Sequence, residues 1–270
     1  MILLPLKLGA KLNKAHEMNV YTAATIGLVL LVLLYFAYQW NRIASSVRIS
    51  TVLISKTASY MQHPHNAQMH ILVAGDSTAV GVGAVTSEQS IAGRLGARYP
   101  SADIENVSQS GLTLQGLQEA LSAHLSATSS YDFILLQIGA NDVTALTSRS
   151  AVRSRLDAVL SLCASHTKYL FVMTSGNVGL SPVFGLPLRL LFTGRSLMVR
   201  NVFMAEAAKY TNVYYLDLYK SAQQDPFNKD IARCYARDLF HPSGVGYLLW
   251  YTQLQELIDA HTSYSLKIQN

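Results

Sequence analysis

The chain has 270 residues, 50% of them hydrophobic and 14% charged, with a net charge of +5. That is too apolar for a disordered chain, and long enough for one sizeable domain plus an anchor. The positive charge forms no Lys/Arg-rich cluster, which excludes a nucleic-acid footprint and suits a surface beside an anionic membrane.

Residues 1–17 read as a short N-terminal tail, broken by Pro5, that either lies on a membrane surface or is disordered. The apolarity concentrates next. Residues 18–41 carry no charged side chain, and the stretch Tyr21–Tyr38 is nearly all apolar. A helix needs roughly 20 such residues to cross the hydrocarbon core. Tyr35, Tyr38 and Trp40 cluster at one end, where an aromatic belt would sit. A cleaved signal peptide has a shorter apolar region and a small-residue cleavage site, for which Ile43-Ala44-Ser45-Ser46 is a poor candidate. A buried core helix of this length without charge is uncommon. The expected element is a retained single-pass membrane anchor at residues 18–41. Lys7, Lys11 and Lys14 before it nearly balance Arg42, Arg48 and Lys56 after it. The short tail with its three lysines tips the orientation toward N-terminus inside and globular domain outside. Residues 42–68 read as a connector, in which Pro64 ends any late helix.

A globular domain is expected over residues 69–262, followed by a C-terminal tail at 263–270. The apolar runs predict strands at His70–Ala74, Asp103–Val107, Phe133–Ile138, Tyr169–Thr174 and Val213–Leu216. Helical patterns lie between them, at Ser87–Arg98, Thr113–Ser126, Ser148–Ser165, Ser196–Tyr210 and Pro242–Ala260. The runs are apolar rather than alternating, as in strands buried on both faces. The expected fold class is α/β: a flavodoxin-like doubly wound sheet of about five parallel strands with helices on both faces. In such sheets the ligand crevice lies outside the carboxyl ends of the strands.

That edge is where the chemistry-bearing residues fall. Gly75-Asp76-Ser77 follows the first strand, Ser108-Gln109-Ser110-Gly111 the second, and Gly139-Ala140-Asn141-Asp142 the third. Asp238-Leu239-Phe240-His241 precedes the last helix. Taken singly, each is bland: Ser77 is a helix cap, Gly111 and Asn141 are turn formers, Asp238 is solvated, and His241 lies in a loop before Pro242. Taken together they supply an activated nucleophile. Serine hardly ionises at neutral pH, so a base must take its proton. Three residues of turn can bring the Asp238 carboxylate under the His241 imidazole, which would accept from Nδ1 and leave Nε2 facing the serine. The Gly111 N–H and the Asn141 amide could then donate to a developing oxyanion.

These four blocks, in this order across residues 69–260, resemble the SGNH hydrolases, also called the GDSL esterase/lipase family. The resemblance implies Ser77 as nucleophile, His241 as general base and then acid, and Asp238 as its orienting partner. It implies an oxyanion hole made by the Ser77 and Gly111 backbone N–H groups and the Asn141 side chain. Asp76 and Asp142 would order the loops through hydrogen bonds. Thr78 stands where the GDSL name has leucine. The implied reaction is hydrolysis of a carboxylic ester through an acyl-enzyme, without a cofactor.

Other readings are weaker. Gly81-Val82-Gly83 begins too late after the first strand for a dinucleotide fingerprint, and Thr86 stands at its third glycine. The eight histidines show no metal-ligand spacing. The two cysteines, Cys163 and Cys234, form no CxxC, and the sequence leaves open whether they pair. The apolar segment Gly179–Phe192 carries two prolines and is too short to span a bilayer. It reads either as an acyl-pocket wall or interfacial loop, with Phe184 and Leu186 facing substrate, or as ordinary core. The anchor and this segment favour a lipid or long-chain acyl ester; an acetylated carbohydrate is the alternative. A different class, a non-catalytic binding module on the same fold, is disfavoured by the intact residue set.

Overall fold

A computed structural model describes the backbone of residues 6–262 and the side chains of residues 18–262. The N-terminal lysine side chains and the C-terminal tail at 263–270 lie outside the described residues. The chain divides into two compact units, Met1–Ser45 and Ser46–Asn270.

The first unit is helical. Helix α1 runs from Leu6 to Lys56, through the first unit and into the second. It contains an 18-residue window of mean hydropathy 2.2, long and apolar enough to cross a membrane. Thr22 and Thr25 donate to the carbonyls of Met18 and Tyr21, so these hydroxyls are satisfied inside the helix. The helix covers part of the expected tail and continues through much of the expected connector, because no glycine or proline interrupts residues 42–56.

The second unit alternates strands and helices. In chain order these are β1 (Met69–Gly75), α2 (Ser77–Val80), α3 (Ile91–Arg98), β2 (Ala102–Asn106), α4 (Leu114–His124), β3 (Tyr131–Gln137) and α5 (Ala140–Thr144). Then come α6 (Arg149–Ala164), β4 (Thr167–Met173), α7 (Leu188–Ala207), β5 (Val213–Leu216), α8 (Pro226–Lys229), α9 (Ile231–Cys234) and α10 (Gly244–His261). The five strands are all parallel in the order β2-β1-β3-β4-β5, the flavodoxin-like doubly wound arrangement.

Successive residues of a strand point to opposite faces, and here both faces are covered. Leu72, Ala74, Ile134 and Leu136 pack with residues of α4, α6 and α7. Their neighbours Ile71, Val73, Phe133 and Leu135 pack with residues of α3 and α10. This two-sided burial is why the strands read as continuous apolar runs. Cys163 and Cys234 fall in opposite clusters as free buried thiols. Burial pushes the Cys163 thiol up to about 12.

Some boundaries differ from expectation. Helix α7 starts at Leu188 rather than Ser196, because Pro187 introduces it instead of ending the loop. The stretch from Ser87 is a short 3₁₀ turn, and Ser90 starts α3 by accepting the Gly93 N–H at 3.0 Å. The four-residue helices α2, α8 and α9 are too short to leave a periodic signal in sequence.

Candidate active site

Strand β1 delivers the serine. A Cβ on Gly75 would lie 2.9 Å from the Ala79 Cβ and would overlap the Gln137 carbonyl, so β1 and β3 meet here only over a glycine. Asp76 then caps α2. Its Oδ1 accepts from the Thr78 N–H at 2.9 Å and the Thr78 hydroxyl at 2.7 Å. Thr78 thus adds a second tie to the carboxylate, which leucine could not make. Ser77 is the first residue of α2, so its N–H is one of the helix's unpaired first-turn donors. Burial pushes the Asp76 carboxyl above the ordinary carboxylate range, despite the two Thr78 bonds.

The histidine arrives from the loop between α9 and α10. Ala236 donates to the His241 carbonyl at 2.8 Å and Leu239 to the Ala236 carbonyl at 2.9 Å, which closes a tight turn. Leu239 takes the left-handed conformation, φ 60°, at a cost of about 1–2 kcal/mol. The Ser181 hydroxyl donates to its carbonyl at 2.8 Å. The turn folds Asp238 under the ring. His241 Nδ1 lies 2.5 Å from Asp238 Oδ2, and His241 Nε2 lies 2.8 Å from Ser77 Oγ. Asp238 Oδ1 accepts the N–H groups of Phe240 and His241, both at 3.0 Å. Its Oδ2 also accepts from the Ser50 hydroxyl at 2.8 Å. Burial alone would raise the Asp238 carboxyl. The His241 bond and charge, the Phe240 N–H and the Ser50 hydroxyl outweigh that and hold it below the ordinary carboxylate range.

The loops after β2 and β3 leave the sheet next to the end of β1, where the Gln109 N–H donates to the Gly75 carbonyl at 3.1 Å and the Asp76 N–H to the Gln137 carbonyl at 3.0 Å. Gly111 has φ +87° and open space where a Cβ would point. Asn141 Nδ2 donates to the Leu112 carbonyl at 2.8 Å, which ties the two loops together and leaves the amide a second N–H. Asp142 Oδ2 accepts the Leu114 N–H at 2.9 Å, fixing the start of α4 just after Gly111. Asp76 and Asp142 thus order loops through hydrogen bonds. Gly83 has φ +98°, and a Cβ there would lie 3.1 Å from the His241 Cβ and overlap the Pro242 carbonyl. Gly83 thus lets the loop after Ser77 pass against the histidine turn, while Gly81 makes room for Ser90.

A cleft opens beside Ser77 and His241. Phe227, Tyr235, Phe240 and Trp250 supply aromatic wall, with Val178 and Leu218 beside them and polar groups from Ser175, Asn177, Lys220 and Gln253. The structure does not place Phe184 and Leu186 in the cleft wall, while the exposed Leu186, Leu190 and Leu191 suit the interfacial-loop alternative. Phe184 is not in that lining; it packs against Phe192 and Phe240, with ring centroids 4.6 and 6.1 Å away. Leu186 points to solvent. From the segment 179–192 only Ser181 reaches the cleft. Of the aromatic wall, Phe240 lies inside the Asp238–His241 block, while Phe227, Tyr235 and Trp250 carry no motif. Ser50 was equally invisible in sequence.

The sequence model of the GDSL-like lipase/acylhydrolase family matches residues 73–249. The chain belongs to this family. It is a serine ester hydrolase by that membership. The fold matches solved family structures. A lipolytic G-D-S-L protein from Veillonella parvula superposes with TM-score 0.56 at 20% identity, over 71% of this chain and 98% of that one. TesA gives 0.53 at 19% identity, over 70% and 97%. Axe2, an acetylxylan esterase from Geobacillus stearothermophilus, gives 0.50 at 20% identity, over 72% and 95%. No curated protein matches the chain.

Proposed function

We propose that this chain is a membrane-anchored esterase in which Ser77 attacks the ester carbonyl, His241 takes the serine proton, and Asp238 orients and stabilises the imidazolium. The carbonyl oxygen becomes an oxyanion held by the Ser77 and Gly111 N–H groups and the Asn141 amide. His241 returns the proton to the leaving alcohol, and an acyl-Ser77 remains. Water then attacks the acyl carbon as His241 takes its proton, and His241 passes that proton to Ser77 Oγ as the acyl–Oγ bond breaks, which releases the acid and restores both residues. The observation that carries this reading is the unbroken path Ser77 Oγ–His241 Nε2 and His241 Nδ1–Asp238 Oδ2, at 2.8 and 2.5 Å.

The aromatic cleft wall and the apolar span favour a lipid or long-chain acyl ester. The polar groups at the same cleft, Ser175, Asn177, Lys220 and Gln253, favour the second reading, a short acyl group on a carbohydrate. Residues 18–41 serve as the anchor, with the N-terminus inside and the hydrolase unit outside. The test is an ester panel of graded chain length on the detergent-solubilised chain and its Ser77→Ala variant, with a phosphonate probe for the nucleophile. Labelling and activity lost together in Ser77→Ala, with rates rising with chain length, are expected. A preference for acetate esters selects the second reading, and an unlabelled wild type makes the chain a binding module. Protease digestion of sealed vesicles reads the orientation.

A further inference from the structure

We propose that Ser50, supported by Ser46, positions Asp238, and that the helical stretch Ser46–Lys56 is therefore part of the active site. This rests on the Ser77–His241–Asp238 reading above.

Serine and threonine inside a helix ordinarily return their hydroxyl to a carbonyl three or four residues back. Thr51 and Thr57 do so, on Val47 and Leu53. Ser46 and Ser50 do not. Ser46 Oγ donates to the Asp238 carbonyl at 2.7 Å, and Ser50 Oγ donates to Asp238 Oδ2 at 2.8 Å. Four residues apart, they stand one above the other on a single helix face. One residue is thus gripped twice, at its backbone and at its carboxylate, by hydroxyls a helical turn apart.

The grip falls where it affects the base. Asp238 is 1% exposed, so its oxygens have no water to fall back on. Two amides of its own turn hold Oδ1. Oδ2 is the oxygen that meets His241 Nδ1, and Ser50 is the donor that reaches it from outside the turn. Without Ser50, the carboxylate could pivot about its two amide bonds, and the imidazole would follow it away from Ser77. The Ser46 bond keeps the Asp238 backbone at the distance from the helix that Ser50 requires. Neither serine touches substrate; both act through Asp238.

The experiment uses the full chain in detergent with a soluble ester, comparing Ser50→Ala, Ser50→Thr and Ser50→Val. Removing the hydroxyl is expected to lower kcat about tenfold to hundredfold, the range for a lost hydrogen bond to a charged group. KM should stay within about twofold, because no substrate contact is lost. Thr and Val have nearly the same shape and differ in the hydroxyl, so Ser50→Thr should recover most of the rate and Ser50→Val should not. Equal kcat for the Thr and Val variants, or wild-type kcat in Ser50→Ala, overturns the proposal. Ser77→Ala runs alongside: if it stays active, the underlying reading fails; if it is dead while Thr and Val are equal, only the positioning role fails.

Discussion

Replacing Asp238 by asparagine exchanges one oxygen for an NH₂ at almost constant volume, so its consequences follow from the four bonds made to the carboxylate. Oδ1 accepts two backbone N–H groups at 3.0 Å, and an asparagine oxygen can keep both. Oδ2 accepts His241 Nδ1 at 2.5 Å and Ser50 Oγ at 2.8 Å. An NH₂ there is a donor. The serine hydroxyl can rotate and accept, but the imidazole can accept only by moving its proton from Nδ1 to Nε2. Nε2 is the atom 2.8 Å from Ser77 Oγ, and a protonated Nε2 on a neutral ring cannot take the serine proton. The expected loss in kcat is about four orders of magnitude, which corresponds to about 5.5 kcal/mol at 1.36 kcal/mol per tenfold. The assay is steady-state hydrolysis of a chromogenic ester near neutral pH, with a melting curve for each form. A variant that retains kcat within tenfold of wild type, at an unchanged Tm, would refute the assignment of Asp238 as the group that fixes the tautomer. The same carboxyl gives a pH signature. Its folded-state pKa is depressed, so its contribution to stability is present above the unfolded value of about 3.9 and is lost as pH falls below it. Asp238→Asn should flatten the acid limb of the stability curve.

Asn141→Ala removes one proposed oxyanion donor and its tie to Leu112, and should cost about 10²–10³ in kcat with little change in KM; a loss under threefold would discard that role. Gly75→Ala forces a methyl against the Gln137 carbonyl at the β1–β3 contact. It should lower Tm and nearly abolish phosphonate labelling, and a fully labelled, equally stable variant would contradict the packing described. Asp76 carries the opposite linkage to Asp238. Burial raises its folded pKa, so its favourable contribution is present below the unfolded value and is lost as pH rises through the folded one. Asp76→Asn keeps the acceptor for Thr78 and should be relatively more stable than wild type at neutral pH than at pH 4; the reverse trend in urea midpoints would reject that sign.

The chain's local chemistry decides a good deal. Apolar runs such as Ile71-Leu72-Val73-Ala74 could be satisfied only by burial on two faces, which dictates a parallel sheet with helices on both sides. The polar, glycine-bearing turns after β1, β2 and β3 then had to emerge at one edge, because parallel strands all end on the same side. That is why Ser77, Gly111 and Asn141 could be proposed as one site from the sequence, with Asp238 and His241 added by their own spacing and by the family resemblance. Other features depend on which distant surfaces meet. Phe184 reads as a pocket-wall residue, yet it is half-buried against Phe192 and Phe240 and lies outside the cleft lining. The aromatic wall of the cleft is assembled from Phe227, Tyr235 and Trp250, ordinary core residues until the fold leaves a gap beside Ser77. Ser50 shows the limit most clearly. A serine in the middle of a helix has a default partner in its own backbone, and only the approach of a segment 188 positions away redirects its hydroxyl to Asp238. Periodicity and motif spacing act over a few residues and set which atoms can react; long-range packing, which no local pattern encodes, sets which neighbours hold those atoms in place.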